Sequence, residues 1–475
     1  MVGEIEILRG LPILKKKDIS RRRFLGRVAG LTAGMIGFPY VVSSSALGKA
    51  GSVAPSNRIT MGCIGLGGQG MYNMTAFLNQ PDVEVVALCD VNAGSSDYDM
   101  LYQFTGSSSA GLKPAIERAQ RAYAKKKPSA IYKRIDGYRD FRELLARDDI
   151  DAVTVCTPDH WHALICIAAA RAGKDLYCEK PLANTVAEGR AVCEAVHRSG
   201  RVLQTGSHER SNDKARFACE LVRNGYIGKV HTIRVNMPNS DPHHAVVRKN
   251  SFPQPVMPVP EGLDYDMWLG HTPWAPYTKM RSHFWWRFIL NYGGGEMTDR
   301  GAHIIDLAQL GNGTDDTGPV EIFGEGMAPD DGLFDTFLEY QFECRYANGV
   351  RLIGESKEPR GLKFEGTDGW VFIHIHGGHL EAQPPSLLQE SIGPNEIQLG
   401  RSPGHHQDFL NAVKTRQQPM APAEVGHRTA TICHLVNIAM LTERKLKWDP
   451  QCEQIVNDAE ANRLLSRPMR SPWHL

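Results

Sequence analysis

Asp299 and His303 stand four residues apart in a segment, Met297 to Leu310, that reads as a helix. That spacing stacks the two side chains on one face. An imidazole is the side chain best suited to taking a proton from an alcohol near neutral pH, and a neighbouring carboxylate can orient it or assist. The run Gly293-Gly294-Gly295 before them lets the start of the helix approach a ligand. Singly, Asp299 also reads as a helix N-cap and His303 as a core histidine. A second pattern lies upstream, in Gly65-Leu66-Gly67-Gly68-Gln69-Gly70. One glycine serves a tight turn, one a close approach of backbone to pyrophosphate, one the packing of helix on strand. The following helix would face the phosphates with unpaired N–H groups. Asp90 lies twenty residues beyond Gly70, where a carboxylate binds a ribose 2′-hydroxyl. Gly65, Gly67, Gly70 and Asp90 therefore predict a dinucleotide site. A carboxylate repels a 2′-phosphate, so NAD is favoured over NADP, with NADP left open.

The elements that must hold these residues follow from hydrophobic patterning. Arg58 to Gly65 and Val83 to Asp90 read as strands, with a helix over Met71 to Gln80 between them. Asn92 to Gly111 is polar, rich in Ser and Gly, and reads as an insertion loop. Helices follow at Pro114 to Lys127, Asp140 to Arg147, His160 to Ala172 and Val186 to Ser199, and strands at Ile150 to Thr157 and Asp175 to Glu179. This alternation predicts an α/β fold, a parallel sheet covered on both faces. Ligands in such sheets sit beyond the carboxyl ends of the strands. Thr157, Pro158 and His162 lie at one such end and Glu179 and Lys180 at another, so all five are expected to border the nicotinamide. Beyond Gly206 the rhythm changes. Strands are expected at Val230 to Met237, Thr336 to Arg345 and Val350 to Glu355, a long Pro-rich loop over Asp241 to Gly262, and helices at His405 to Arg416 and Val425 to Leu441.

The glycine fingerprint, Asp90, Thr157-Pro158 with His162, and Glu179-Lys180-Pro181 occur in one order. Together they resemble the Gfo/Idh/MocA family of oxidoreductases, and Gly293-Gly294-Gly295, Asp299, His303 and Asp306 resemble that family's second signature. The resemblance covers roughly residues 58 to 445. It implies an N-terminal Rossmann dinucleotide-binding domain over 58–182, followed by an α+β substrate and oligomerisation domain over 183–445 with a large, mostly antiparallel open sheet. Residues 446–475 beyond it are read as a C-terminal tail, and the resemblance also implies a homo-oligomer in which the open sheet packs on its twin. Carried over residue by residue, it makes Lys180, Asp299 and His303 the catalytic group. Lys180 would hydrogen-bond the reacting hydroxyl while hydride passes to the nicotinamide. Trp285, Trp286, Arg287, His208, Arg210 and Asp306 are substrate candidates, as aromatic faces that stack on sugars and side chains that bind hydroxyls; core packing is the rival reading for the tryptophans. His243-His244 and His405-His406 lack spaced acidic or cysteine partners, so no metal is expected.

Lys and Arg number 54 against 53 Asp and Glu, which argues against nucleic acid as a partner. Ser20-Arg21-Arg22-Arg23-Phe24-Leu25, the apolar run Val28 to Val42 and the small residues Ser43 to Ala46 predict a twin-arginine export signal over 1–46. The export machinery is then a partner, and the location is periplasmic or extracellular, with no stable membrane span. The ten cysteines contain no CxxC pair, and free buried thiols are expected. An exported protein has no free pool of nicotinamide cofactor, so a tightly bound, recycled NAD is expected. Two activities meet that condition. One is an oxidoreductase acting on a sugar, polyol or glycoside hydroxyl. The other is a redox-neutral glycoside hydrolase, in which oxidation, elimination, hydration and reduction return the hydride to the same sugar; His208, Tyr292 or Asp306 would then supply the extra base. A non-catalytic sugar or dinucleotide sensor is a third reading, against which the retention of Lys180, Asp299 and His303 counts.

Overall fold

Six short strands form the first sheet: β1 (Ile59–Ile64), β2 (Val83–Cys89), β3 (Asp136–Tyr138), β4 (Ala152–Val155), β5 (Asp175–Cys178) and β6 (Leu203–Thr205). Every residue of β4 and β5 is buried, as expected of strands covered on both faces. The strands run parallel in the order β3-β2-β1-β4-β5-β6. That order reverses between β1 and β4, which opens a crevice beyond their carboxyl ends. The computed structural model describes residues 57–98, 108–126, 135–329, 332–376 and 378–475. The predicted export signal and part of the Asn92–Gly111 insertion lie outside the described residues. Because β6 falls at Leu203–Thr205, the parallel sheet extends past residue 182, and the helix Val186–Arg198 is its last crossover.

The second sheet has nine strands: β7 (Val230–Asn236), β8 (Glu321–Met327), β9 (Glu339–Arg345), β10 (Arg351–Glu355), β11 (Gly361–Gly366), β12 (Trp370–His374), β13 (Leu380–Gln383), β14 (Leu446–Asp449) and β15 (Gln454–Ile455). Their order is β13-β12-β11-β7-β10-β9-β8-β14-β15. All pairs are antiparallel except β7 with β10. Period-two burial is clear in β9, where Tyr340, Phe342 and Cys344 face inward and Glu339, Gln341 and Arg345 face solvent. The inner face meets the helices Asp213–Arg223, Gly301–Asn312 and Ala423–Thr442 in one core that includes Leu221, Ile304, Leu307, Ile432 and Val436.

Three expectations are corrected by these elements. The stretch from Asp241 to Gly262 is not all loop, because Pro at its first position starts a helix, Pro242–Lys249. The helix expected over Met297 to Leu310 is two helices, Glu296–Asp299 and Gly301–Asn312, meeting at Arg300. The residues after 445 are not a loose tail. β14 and β15 extend the second sheet, and Trp473 returns to the first domain, its ring 4.9 Å from Trp161 and 6.4 Å from Phe141. All ten cysteines are free; Cys452 is exposed, Cys156 half-buried and the rest buried. Among the described residues no helix is long and apolar enough to cross a membrane.

The glycine loop explains its own composition. Gly65 has φ +81°, and a Cβ there would lie 2.6 Å from the Cys156 carbonyl. A Cβ on Gly70 would lie 2.0 Å from the carbonyl oxygen of Gly65, so the helix Gly68–Asn79 can sit on β1 only without one. Gly70→Ala is therefore expected to destabilise the fold by about 1–3 kcal/mol, as overpacking does. Nucleotide binding should fall with it, and denaturant melts with and without added NAD check both.

Candidate active site

The carboxyl ends of the parallel strands bring the chemistry-bearing residues to one crevice. Lys180 follows β5, Thr157 to Asp159 follow β4, and His208 follows β6 in a 3-10 turn, His208–Ser211. The second domain meets them with the helices that carry Asp299 and His303. Lys180 Nζ donates to Asp299 Oδ1 and, at 3.1 Å, to the Asp299 carbonyl. Arg287 Nε lies 3.4 Å from the other carboxylate oxygen. The Arg287 guanidinium is itself held between the rings of Trp286, 4.5 Å away, and Phe284, 4.7 Å away. Burial alone would raise the Asp299 pKa, but the Lys180 and Arg287 cations overcome that and hold it well below the carboxylate range. Asp159, buried beside the same cations, behaves oppositely: desolvation pushes its carboxyl well above the usual range.

His303 is 5 % exposed, and burial, with His208, Lys180 and His376 adding to it, pushes the imidazole well below its ordinary pKa. It is neutral, the form that accepts a proton. Asp299 turns to Lys180 and Arg287, and no hydrogen bond joins it to His303 among the described residues. The neighbours of His303 are other imidazoles, His208 with ring centroids 4.6 Å away and His376 at 5.3 Å.

The dinucleotide candidates divide into groups that face the crevice and groups that brace it. Gly67 caps the helix Gly68–Asn79 with no side chain, and a Cβ there would meet nothing nearer than the Tyr98 ring at 3.4 Å. Thr157 Oγ1 is buried without a hydrogen-bond partner among the described residues, and a bound nucleotide would supply one. Pro158 precedes the helix Asp159–Arg171. Asp90 stands at the end of β2, where its carboxylate accepts from the backbone N–H of Leu66 at 2.6 Å and of Asn92 at 2.7 Å. Burial raises its pKa to about 6 against those bonds. A cavity of about 520 Å³ lined by Ala93, Gly94, Lys113 and Arg118 follows it, wide enough for the far end of a dinucleotide. These features fit NAD.

Other sequence candidates are placed elsewhere. His162 braces the crevice rather than lining it: its Nδ1 pairs with the Pro181 carbonyl at 2.7 Å and its Nε2 with that of Thr157 at 2.9 Å. Glu179 accepts from Asn73 at 2.7 Å and Gln69 at 3.1 Å, fixing the glycine-loop helix. Arg210 and Asp306 are not open to substrate, because they hold each other. Arg210 Nε donates to Asp306 Oδ2 at 2.7 Å, its Nη atoms hold Asp315, and Asp306 also accepts from Thr429 at 3.0 Å. Both are at most 3 % exposed. Tyr292 is 1 % exposed, so it is no base for substrate, and Trp286 is core. Trp285 is half-buried against Phe284. Asp159 lies within the Thr157-to-His162 stretch expected at the strand end, without a role of its own there, and His376 was missed. Asp159 had a signal, its place directly after Thr157-Pro158 at a strand end. His376 had none, since it follows β12 in a stretch with no motif.

Comparison with known proteins fits this geometry. Residues 103–207 match the model of an oxidoreductase family with an NAD-binding Rossmann fold, and residues 214–475 match the C-terminal α/β domain of the same family. An alpha-N-acetylgalactosaminidase of Shewanella oneidensis is 27% identical over 226 residues, covering 45% of this chain and 44% of that protein. A glycosyl hydrolase family 109 protein of another Shewanella is 28% identical over 246 residues, 47% and 49% of the two chains. The chain thus matches about half the length of these curated relatives. Among solved structures, aldose-aldose oxidoreductase from Caulobacter crescentus superposes with a TM-score of 0.55 at 20% identity, covering 82% of this chain and 99% of that one. Levoglucosan dehydrogenase in complex with NADH and levoglucosan gives 0.55 at 19%, with the same coverage. At these identities the structures show the shared fold.

Two outcomes follow. Arg210→Met leaves Asp306 and Asp315 without their buried cation and should cost about 3–5 kcal/mol of stability, measured by denaturant melts. Buried His271, His405 and His434 have pKa values lowered by desolvation to about 4, 3 and 4. The unfolded chain binds their protons first, so stability is full above pH 6.5 and falls as pH drops toward 4. The loss is about 1.4 kcal/mol per group per pH unit, and a Tm series from pH 7.5 to 4.5 reads it.

Proposed function

This chain belongs to the Gfo/Idh/MocA oxidoreductase family, and from that premise we propose that it oxidises a hydroxyl of a sugar or glycoside with an NAD that it retains. The observation that carries this is the convergence of Lys180, Asp299 and His303 at the crevice beyond β1 and β4. When bound, the nicotinamide supplies hydride acceptance. The protein's own groups do the rest. Lys180, tethered by Asp299, donates a hydrogen bond to the substrate oxygen and stabilises it as charge develops. Neutral His303 takes the hydroxyl proton. Arg287 holds Asp299 from the far side, so the pair cannot drift from the substrate. The arginine pair at Arg21 and Arg22 supports export, and export supports a cofactor carried and recycled rather than exchanged.

A second reading differs only in where the hydride returns. His208 stands half-exposed, its ring beside His303. It could take the proton next to a newly formed ketone, so that a glycoside leaves by elimination before the ketone is reduced again. The glycosidase names of the curated relatives agree with this course.

The discriminating experiment offers chromogenic glycosides to the purified protein with no cofactor added. NADH absorbance without aglycone release supports net oxidation, and release that depends on protein-bound NAD⁺ supports the redox-neutral course. Lys180→Met is expected to lower kcat in either case by about 10²-fold or more, the usual scale for one lost transition-state donor. A protein that neither carries nor binds nicotinamide overturns both readings.

A further inference from the structure

His208, His303 and His376 come from a 3-10 turn after β6, a helix of the second domain and the end of β12, yet their rings meet. The centroids are 4.6 Å apart for His208 and His303, 5.3 Å for His303 and His376, and 5.6 Å for His208 and His376. One nitrogen from each lies within 4.8 Å of the other two. None of the three bonds another, and His303 Nδ1 is buried with no partner among the described residues. The side chains of His208 and His376 are 48% and 40% exposed, so the group is open to solvent on one side. Glu209, 4 % exposed, places Oε1 3.6 Å from His208 Nε2 and 3.8 Å from His376 Nε2 and accepts the His376 backbone N–H at 3.3 Å.

We propose that His208, His303 and His376 bind one divalent transition-metal ion of the zinc class. Three imidazoles with a fourth position open are the ligand set of a catalytic zinc site, and imidazole nitrogen suits zinc, cobalt and nickel. A carboxylate beside two of the rings is the customary outer partner, fixing their tautomers and balancing the ion's charge. The other histidine pair of this region differs. His243 and His244 each direct Nε2 to Glu296 Oε1 at 2.9 Å, and Asp241 beside them is held by Arg300 and Arg360, so that group is internally paired. His208 and His303 were legible as separate candidates, but the members of the group are far apart in the chain and only adjacent histidine pairs stand out there. What the ion would do rests on the function proposed above: with it bound, His303 would be a ligand, and the hydroxyl, polarised on the ion, would lose its proton to solvent water on the open side instead of to the imidazole.

The test uses the full-length protein after chelator dialysis, titrated with Co²⁺ and followed by visible d–d absorption, with Zn²⁺ as competitor. One equivalent per chain is expected, with an intense tetrahedral-type spectrum that Zn²⁺ abolishes. His208→Ala and His376→Ala should each weaken binding by about 100-fold, and Glu209→Gln by about 10-fold. His374→Ala, in the exposed group with His379 and Glu381, should leave it unchanged. Absence of a stoichiometric Co²⁺ spectrum, or a spectrum indifferent to His208→Ala and His376→Ala, overturns the site. NAD content measured on the same samples separates the two claims. A protein that holds NAD but no ion loses only this proposal, and one that takes the ion but no NAD loses only the function above.

Discussion

The ion pair of Lys180 and Asp299 is the constraint around which the crevice is organised. Lys180 belongs to a strand end of the parallel sheet and Asp299 to a helix of the second domain. Their side chains are only 14% and 26% exposed, so separating them would leave charge in a poorly solvated place. Arg287 completes the group, and its own position is set by the rings of Trp286 and Phe284. The aromatic cluster that first reads as sugar-binding surface thus acts one step back. It holds the cation that holds the carboxylate that holds the lysine.

Glu179, next in the chain, pulls the other way. Successive residues of extended backbone point to opposite sides, and where Lys180 reaches the second domain, Glu179 grips Asn73 and Gln69 on the glycine-loop helix. Asn73 in turn pairs with His406, on the late helix His405–Thr415. One dipeptide therefore couples the glycine-loop helix to Asp299 of the second domain. A displacement of β5 would disturb both at once.

Much of this was readable from residue patterns because local chemistry demanded it. The glycine loop admits no other residue at Gly65 or Gly70, since backbone atoms occupy the space of a Cβ. β1, β2, β4 and β5 are apolar runs, so their places were plain, whereas β3, Asp136-Gly137-Tyr138, carries no such signal. The Asp299–His303 spacing was visible as well, although the break at Arg300 was not, because no proline announces it and Gly301 alone is a weak signal. Arg210 and Asp306 misled for a physical reason. A charged residue near a motif looks like a ligand, and nothing in the chain shows that Asp315 and Thr429 will close around the pair. His376 was invisible for the converse reason: its meaning comes only from the sheet register that carries the end of β12 to the crevice.

The returning C-terminal residues have a consequence for the order of events in the cell. Trp473 covers Trp161 and Phe141, and Arg470 donates to the Gly270 carbonyl at 2.8 Å. Phe409 and Leu410 join the core of Phe77 and Tyr177 around the first sheet. The nucleotide-binding half, made first by the ribosome, thus lacks part of its hydrophobic cover until nearly the whole chain has been synthesised. Domains ordinarily close one after another as they emerge. Here part of the core of the earlier half is supplied by the later one.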